Sequence, residues 1–244
     1  MLEIGKLDRI TAIIGERGTG KSTLAKYDAR AFQRDTGGVV VGHSPNGQIG
    51  ADRDIEFHDS LRAMERALRR APEKMQIVAS GAAPEEVIAY GSSLATALRR
   101  KAHERAGLKF KPHRPAPRGL YATPVMVVID EGSELSKAST KADEEWLERI
   151  LMSARHNHLA LSWQIQAPTA RNWVLQEQAS HFRVFRYMHE WGLNAIRAAA
   201  IPKEQLSTIR DLPNFRYFHF DKIAPRSARF RALPVPGTLG DRLL

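Results

Sequence analysis

The feature that most constrains this chain is a glycine-rich octapeptide, Gly15 to Ser22, which lies between a strand pattern and a helix pattern. Ile10 to Ile14 form a short apolar run typical of a buried strand, and residues 22–32 carry apolar side chains at helical spacing. The octapeptide reads GERGTGKS and matches G-x-x-x-x-G-K-[ST] at every fixed position. The sequence therefore predicts a phosphate-binding loop for ATP and Mg²⁺, made by Gly15, Glu16, Arg17, Gly18, Thr19, Gly20, Lys21, Ser22 and Thr23.

Each fixed position of this loop has a chemical reason. The glycines let successive backbone N–H groups turn toward the phosphates, while Lys21 reaches the β- and γ-phosphate oxygens and the Ser22 hydroxyl ligates Mg²⁺. Such a site needs a second Mg²⁺ anchor at the end of a buried parallel strand, and Val125 to Ile129 lead directly into Asp130. We therefore expect Ser22 and Asp130 to hold the metal ion.

Glu131 follows the predicted metal-binding aspartate directly. A carboxylate at this position can orient and deprotonate an attacking water molecule as a general base. A small-molecule kinase does not need such a base beside its Mg²⁺ aspartate, so Glu131 favours hydrolysis. We predict an ATPase in which Lys21 and Glu131 are catalytic.

Further strand and helix patterns alternate along the chain. Strands are predicted at residues 39–41, 75–79, 159–165, 181–187 and 217–220, and helices at 61–70, from Pro84 to about 107, at 143–156 and at 191–200. This alternation predicts a three-layer α/β domain with a mainly parallel sheet. We expect one P-loop domain over residues 1–223, with a basic, proline-rich arm at about 99–119, and a Pro/Arg-rich tail over 224–244.

Composition limits the classes of protein to consider. The sequence contains no cysteine, which excludes disulfide scaffolds and thiolate chemistry. It has 37 Lys and Arg residues against 27 Asp and Glu residues, which gives a net charge of +10. This charge favours a polyanionic partner. The N-terminal residues lack the layout of a signal peptide and no long apolar run is present, so we expect a soluble intracellular protein.

Beyond the two nucleotide motifs, the chain resembles the FtsK/HerA superfamily of DNA-pumping P-loop ATPases over roughly residues 10–190. The stretch that carries the resemblance is LERILMSAR, Leu147 to Arg155, followed by LALSWQIQAPT, Leu159 to Thr169. It is similar to the family's helix ending in Ala-Arg and to its strand ending in a polar glutamine followed by proline and serine or threonine. Trp163 and Gln164 depart from this pattern, because the family has a small aliphatic strand there.

The resemblance implies roles for individual residues. Gln166 would be the sensor between the γ-phosphate and the neighbouring subunit, and Gln164 is the alternative because residues i and i+2 of a strand face the same side. Arg155 would be the arginine finger that enters the adjacent active site, with Arg149 and Arg171 as substitutes. The sensor must reach the γ-phosphate from beside both motifs, so its strand should lie between the strand of Ile10 and that of Asp130. Direct adjacency of those two strands would indicate a kinase-like order instead.

The size of the chain makes it most like the compact genome-packaging ATPases of membrane-containing viruses. The resemblance implies a ring, most simply a hexamer, that translocates double-stranded DNA in the host cytoplasm or at a virion vertex, with a portal or membrane protein as a further partner. Two alternatives stay open: a nucleotide-kinase-like enzyme acting on a small substrate, and a nucleotide-switched assembly or secretion ATPase that moves no DNA.

Two basic stretches are candidates for contact with DNA phosphates. The first lies in the arm and consists of Arg99, Arg100, Lys101, Arg105, Lys109, Lys111, Arg114 and Arg118. The second lies in the tail and consists of Arg226, Arg229 and Arg231, for which a strap from one subunit to the next is the alternative. Contacts of this kind do not read sequence, as a packaging motor requires, but a solvated helix end and loop would look the same in the first stretch.

Overall fold

A nine-stranded sheet forms the centre of the molecule. The computed structural model of the chain describes residues 9–45, 49–50, 52–112, 114, 117, 119–131, 145, 148–149, 151–152, 159–166, 179–188, 205–221 and 233–236. Within them the strands are β1 (Ile10–Ile14), β2 (Val39–His43), β3 (Ile55–His58), β4 (Met75–Val78), β5 (Val125–Ile129), β6 (Leu159–Ile165), β7 (His181–Val184), β8 (Arg216–Asp221) and β9 (Leu233–Pro234).

The sheet has the order β3-β4-β2-β5-β6-β1-β7-β8-β9. The strands from β3 to β7 in this order pair in parallel, whereas β8 and β9 are added antiparallel at one edge. The predicted α/β class with a mainly parallel sheet is therefore confirmed. In parallel sheets, ligands bind beyond the carboxyl ends of the strands, which places the predicted phosphate loop at a functional edge.

The position of β6 confirms the predicted strand order. β6 pairs with β1 on one side, with Ile14 opposite Ile165, and with β5 on the other, with Ile129 opposite Trp163. The strand that leads to Gln166 thus lies between the strand of the phosphate loop and the strand of Asp130. A kinase-like order, with β5 directly beside β1, is excluded.

The helices cover both faces of the sheet. They are α1 (Lys21–Thr36), α2 (Leu61–Arg70), α3 (Pro84–Arg105) and the short α4 (Gln205–Arg210). Leu24, Ala25 and Ala29 of α1 pack on one face, and side chains of α2 and α3, such as Met64 and Val87, pack on the other. Because β5 is buried on both faces, Val127 joins the α3 side of the core and Val128 the α1 side. The three predicted layers are confirmed.

Helix α3 begins where the sequence predicts, because the local chemistry favours a start there. Pro84 occupies the first turn, and the Glu86 carboxylate accepts a hydrogen bond of 2.7 Å from the backbone N–H of Ala83. No helix among the described residues is long and apolar enough to span a membrane.

Some elements differ from the sequence-based expectation. The sequence analysis missed β3, which is a short edge strand with only Ile55 fully buried, and β9, which pairs with β8 from within the predicted tail. The five residues described between 143 and 156 are helical, as predicted, while the predicted helix at 191–200 lies outside the described residues. Strand β7 ends at Val184 rather than at residue 187.

Candidate active site

A cavity of about 370 Å³ opens beyond the carboxyl ends of β1, β5 and β6. Its lining includes most of the residues that the sequence analysis selected. The lining residues are Arg17, Gly18, Gly20, Lys21, Ser22, Thr23, Asp130, Glu131, Gln164, Gln166 and Phe215. The structure therefore brings the phosphate loop, the carboxylate pair and both candidate sensor glutamines to one place.

The phosphate loop takes a conformation that needs its glycines. Gly18 and Gly20 have φ values of 78° and 107°, in a region that residues with a Cβ atom rarely adopt. Thr19 is fully buried, and its hydroxyl donates a hydrogen bond of 2.8 Å to the Glu16 carbonyl. The Lys21 ammonium donates to the same carbonyl at 2.7 Å. These two hydrogen bonds to one carbonyl hold the loop folded around the Lys21 side chain.

Asp130 is fixed by two serines from different parts of the chain. Its Oδ1 accepts a hydrogen bond of 3.2 Å from the Ser22 hydroxyl, and its Oδ2 accepts one of 2.8 Å from the buried Ser44. The oxygen atoms of Ser22 and Asp130 are hard donors, the kind that Mg²⁺ prefers. These two residues therefore fit a magnesium site formed where α1 begins and β5 ends.

Burial shapes the electrostatics of the cavity. Desolvation lowers the pKa of Lys21 to about 8, although Asp130, Glu131 and Glu16 oppose that shift through their charges. Burial also raises the pKa of Asp130, against the hydrogen bonds from Ser44 and Ser22. The cavity thus holds an ammonium group and a carboxylate that have both lost water, so bound phosphate and metal would interact with them strongly.

Glu131 has an unusual backbone conformation. Its φ is 62°, in the left-handed region that costs a residue other than glycine of order 1–3 kcal/mol. Such strain persists only where the surrounding structure enforces it, and here Ile129 is held between β2 and β6 while the Asp130 N–H donates 2.8 Å to the His43 carbonyl. With this backbone conformation, Asp130 and Glu131 both border the cavity.

The two candidate sensor glutamines differ in their surroundings. Gln164 is buried, and its Oε1 lies 2.9 Å from the Ser22 hydroxyl oxygen, whose single proton is shared between this amide and Asp130. Gln166 follows the end of β6 and is partly exposed at the cavity. Both side chains border the same cavity, as the spacing of two residues along a strand predicts.

Of the three candidate arginine fingers, only Arg149 lies among the described residues, and it does not line the cavity. Arg155 and Arg171 lie outside the described residues. Arg149 is exposed, and its Nε donates 3.2 Å to the Glu145 carbonyl of the same helix. Strand β6 begins at Leu159, four residues after Arg155 in the sequence. This amino end of β6 lies at the end of the sheet opposite the cavity.

The basic arm is only partly a cationic surface. Arg100, Lys101, Arg105, Lys109, Lys111 and Arg114 are exposed, whereas Arg118 lies outside the described residues. Arg99 is only 1% exposed and donates to the carbonyls of Lys111, Pro112 and Arg114, so the expectation that it belongs to a DNA-facing surface is wrong. It holds the arm against α3, because guanidinium groups can satisfy several backbone carbonyls at once. The tail arginines 226, 229 and 231 also lie outside the described residues.

Sequence reasoning missed two residues of the site. Ser44 comes directly after β2, and the pairing of His43 with Ile129 sets it beside Asp130. A polar residue at the end of a strand was a usable signal, but only once β2 was known to be the neighbour of β5. Phe215 lies 85 residues after Asp130 in a turn before β8, and nothing in its sequence context indicated that it borders the cavity.

The sequence matches no protein-family model, and comparison with curated proteins finds no match. The fold does resemble solved structures. The genome packaging NTPase B204 from Sulfolobus turreted icosahedral virus 2, in complex with sulfate, aligns with a TM-score of 0.62 at 17% identity, covering 93% of this chain and 97% of that one. The same protein in complex with AMPPCP gives 0.59 at 16% identity, covering 96% and 100%.

A similar core occurs in a larger protein. The cytoplasmic domain of the Thermomonospora curvata type VII secretion ATPase EccC aligns with a TM-score of 0.54 at 16% identity, covering 87% of this chain but 24% of that one. Identities this low establish the fold alone. Together with the strand order, they show that this chain has the P-loop NTPase fold of these packaging and secretion ATPases.

Proposed function

We propose that this chain is an ATP-hydrolysing motor subunit that moves double-stranded DNA, acting in a ring of identical subunits that packages a viral genome. The observation that carries the proposal is the cavity in which Ser22, Asp130 and Glu131 meet. The Ser22 hydroxyl is 3.2 Å from Asp130 Oδ1, and Glu131 borders the same space. A phosphate loop with a metal-binding carboxylate and a second, strained carboxylate is the arrangement that ATP hydrolysis requires.

Each residue has a defined task in this proposal. Ser22 and Asp130 would hold Mg²⁺, which supplies neutralisation of the charge on the β- and γ-phosphate oxygens. Lys21 contributes a second positive charge to the same oxygens. Glu131 takes the proton from the attacking water, and Gln166 reports the presence of the γ-phosphate to the adjoining subunit. Gln164, through its 2.9 Å contact, orients the Ser22 hydroxyl.

The strand order supports hydrolysis over phosphoryl transfer to a small substrate. β6 separates the Asp130 strand from the phosphate-loop strand, which is the order expected for a motor and not for a nucleotide kinase. A kinase also needs no base next to its metal-binding aspartate. We therefore do not favour the kinase-like alternative.

Charge supports DNA as the partner. The chain has a net charge of +10, and the arm presents exposed cations that include Arg100, Lys101 and Lys109. Cations that contact phosphates position a protein on a duplex without reading its sequence. The fold is similar to that of a protein described as a genome packaging NTPase, which is consistent with this substrate.

A ring is proposed because, along the sequence, the candidate finger precedes the end of β6 that is opposite the cavity. β6 has seven residues and ends at the cavity, and Arg155 precedes its other end by four residues. A seven-residue strand spans about 23 Å. The position of Arg155 along the chain therefore favours contact with the cavity of a neighbouring subunit. We take a hexamer as the simplest ring, with a portal or membrane protein as the partner that holds it.

ATP turnover in the presence of duplex DNA tests this function. We expect turnover by the wild-type protein to rise when duplex DNA is added, and to rise far less with an equal charge concentration of heparin. Lys21→Ala, purified in parallel, should show neither basal nor stimulated turnover, because it lacks the cation of the phosphate loop. Turnover that DNA leaves unchanged would favour the alternative of an assembly or secretion ATPase that moves no DNA.

The exposed part of the arm makes a second prediction. Binding of DNA should weaken steeply with salt, and the double variant Arg100→Gln/Lys101→Gln should flatten the plot of log K against log[salt] by one to two units, because each phosphate contact contributes about −0.9. Arg62→Gln/Arg66→Gln is the matched control, since it removes the same charge from exposed residues of α2. A slope changed by the control pair and not by the arm pair would move the DNA surface away from the arm.

A further inference from the structure

Phe215 is the residue of the cavity that the proposed chemistry leaves without a task. It lies in the turn between α4 and β8 and borders the cavity together with the phosphate loop. The residue is 38% exposed, although most large apolar residues in the described part of the chain are buried. An exposed aromatic ring at the mouth of a nucleotide cavity is available for a ligand.

The backbone holds Phe215 in a conformation that needs enforcement. Its φ is 60°. Among the described residues, Glu131 is the only other non-glycine residue with a positive φ, and it also borders the cavity. The Phe215 N–H donates 2.9 Å to the carbonyl of Thr19 in the phosphate loop, and its own carbonyl accepts 2.8 Å from Val235. Both peptide groups of the residue are thus fixed, and strain of this kind concentrates at ligand sites.

The ring also lies close to the phosphate loop itself. A Cβ atom placed on Gly20 would lie 2.8 Å from Cδ1 of Phe215 and 3.4 Å from Cε1 of Phe185. Glycine at this position therefore permits the approach of the ring as well as the left-handed turn. The buried Phe185 and Tyr217, with ring centroids 5.4 Å apart, form an aromatic layer on the same side.

The sheet order separates Phe215 from the catalytic carboxylates. Asp130 and Glu131 follow β5, Gln164 lies in β6 and Gln166 follows it, and both strands lie on one side of β1. Phe215 precedes β8, which lies on the other side of β1 beyond β7. A nucleotide with its phosphates in the loop after β1 and its γ-phosphate at Glu131 would extend away from β5 and β6, toward β8. The end toward β8 carries the base.

We propose that Phe215 is the platform on which the nucleotide base stacks. The inference rests on the proposed ATPase function, and it assigns to this site the end of the nucleotide that the phosphate loop does not hold. Aromatic rings bind bases through their π-faces, and removing such a ring costs roughly tenfold to a hundredfold in affinity. The alternative is that Phe215 only braces the phosphate loop through packing on Gly20.

Two probes separate these possibilities. One is a non-hydrolysable β,γ-methylene analogue of ATP, and the other is tripolyphosphate, which has the phosphates without the base, each titrated calorimetrically with Mg²⁺. Phe215→Leu keeps an apolar side chain against Gly20 but has no π-face, so it should bind the analogue about tenfold to a hundredfold more weakly and tripolyphosphate as the wild type does. Phe215→Tyr should retain both affinities. Tyr121→Leu, which removes another exposed aromatic ring, is the control.

Other results would overturn the inference. An equal loss of affinity for both probes in Phe215→Leu would show that the ring braces the loop, and unchanged affinity for the analogue would show that it does not touch the base. As a second measurement, the added tryptophan fluorescence of Phe215→Trp should be quenched by the analogue and not by tripolyphosphate, and an equal response to both would contradict stacking. If the wild-type protein bound neither probe, the proposed ATPase function would itself be wrong. Binding of both probes without a difference between wild type and variant would refute only the role of Phe215.

Discussion

Glu131→Gln is expected to lower ATP turnover by about 10²- to 10⁴-fold, which is the contribution that general base catalysis makes. The amide has nearly the shape of the carboxylate, so the left-handed turn at residue 131 should persist while the proton acceptor is lost. Binding of Mg·ATP should stay close to that of the wild-type protein, because Ser22, Asp130 and Lys21 are unchanged. Single-turnover hydrolysis and equilibrium nucleotide binding measure the two quantities separately.

Asp130→Ala provides the contrast for this experiment. It removes the acceptor of the Ser22 and Ser44 hydrogen bonds and one of the two proposed metal ligands, so Mg·ATP affinity should fall together with turnover. If Glu131→Gln lost nucleotide affinity as severely as Asp130→Ala, the division of tasks between the two carboxylates would be wrong.

Arg155→Ala is expected to lower turnover by about 10³- to 10⁵-fold while isolated subunits still bind ATP. An arginine finger supplied by a neighbouring subunit stabilises charge on the γ-phosphate in the transition state and has an effect of this size. Arg155 lies outside the described residues, and the prediction rests on the family resemblance and on the start of β6 at the sheet edge opposite the cavity. Arg149→Ala tests the substitute finger in parallel and should retain most of the activity, because the Arg149 Nε already donates to the Glu145 carbonyl of its own helix. The reverse pattern of losses would assign the finger to Arg149.

Mixed rings provide the sharper form of this test. An Arg155→Ala subunit has an intact phosphate loop, and a Lys21→Ala subunit has an intact finger, so a ring that contains both has some complete sites. Mixtures shown to form mixed rings should therefore recover part of the ATPase activity. Activity equal to the sum of the two single variants would mean that Arg155 does not act across a subunit boundary.

The parts of the fold that the sequence predicted well are those with local signals. β1, β5 and β6 have the predicted bounds because each is a short apolar run buried on both faces, and α2 and the start of α3 have clear periodicity or proline at the first turn. The order of β5, β6 and β1 was also predicted, because the chemistry of one cavity requires three strand ends to meet.

The remaining features depend on contacts between distant parts of the chain. The edge strand β3 has a single fully buried residue and therefore gives no apolar run, and β9 forms only by pairing with β8. Arg99 is one of several arginines in sequence, and its burial depends on three carbonyls of the arm. Ser44 reaches the site because β2 pairs with β5, and Phe215 reaches it through the turn before β8. No sequence motif indicates either contact.

Displacement of a third strand from a DNA triplex measures translocation along the duplex directly. A triplex-forming oligonucleotide on a long duplex is displaced only by a protein that moves along the duplex, so we expect the wild-type protein to release it with ATP and to release none with the β,γ-methylene analogue. Glu131→Gln should bind the duplex and leave the triplex intact. ATP hydrolysis that duplex DNA stimulates, but that never displaces the third strand, would contradict the account of this chain as a DNA-translocating motor.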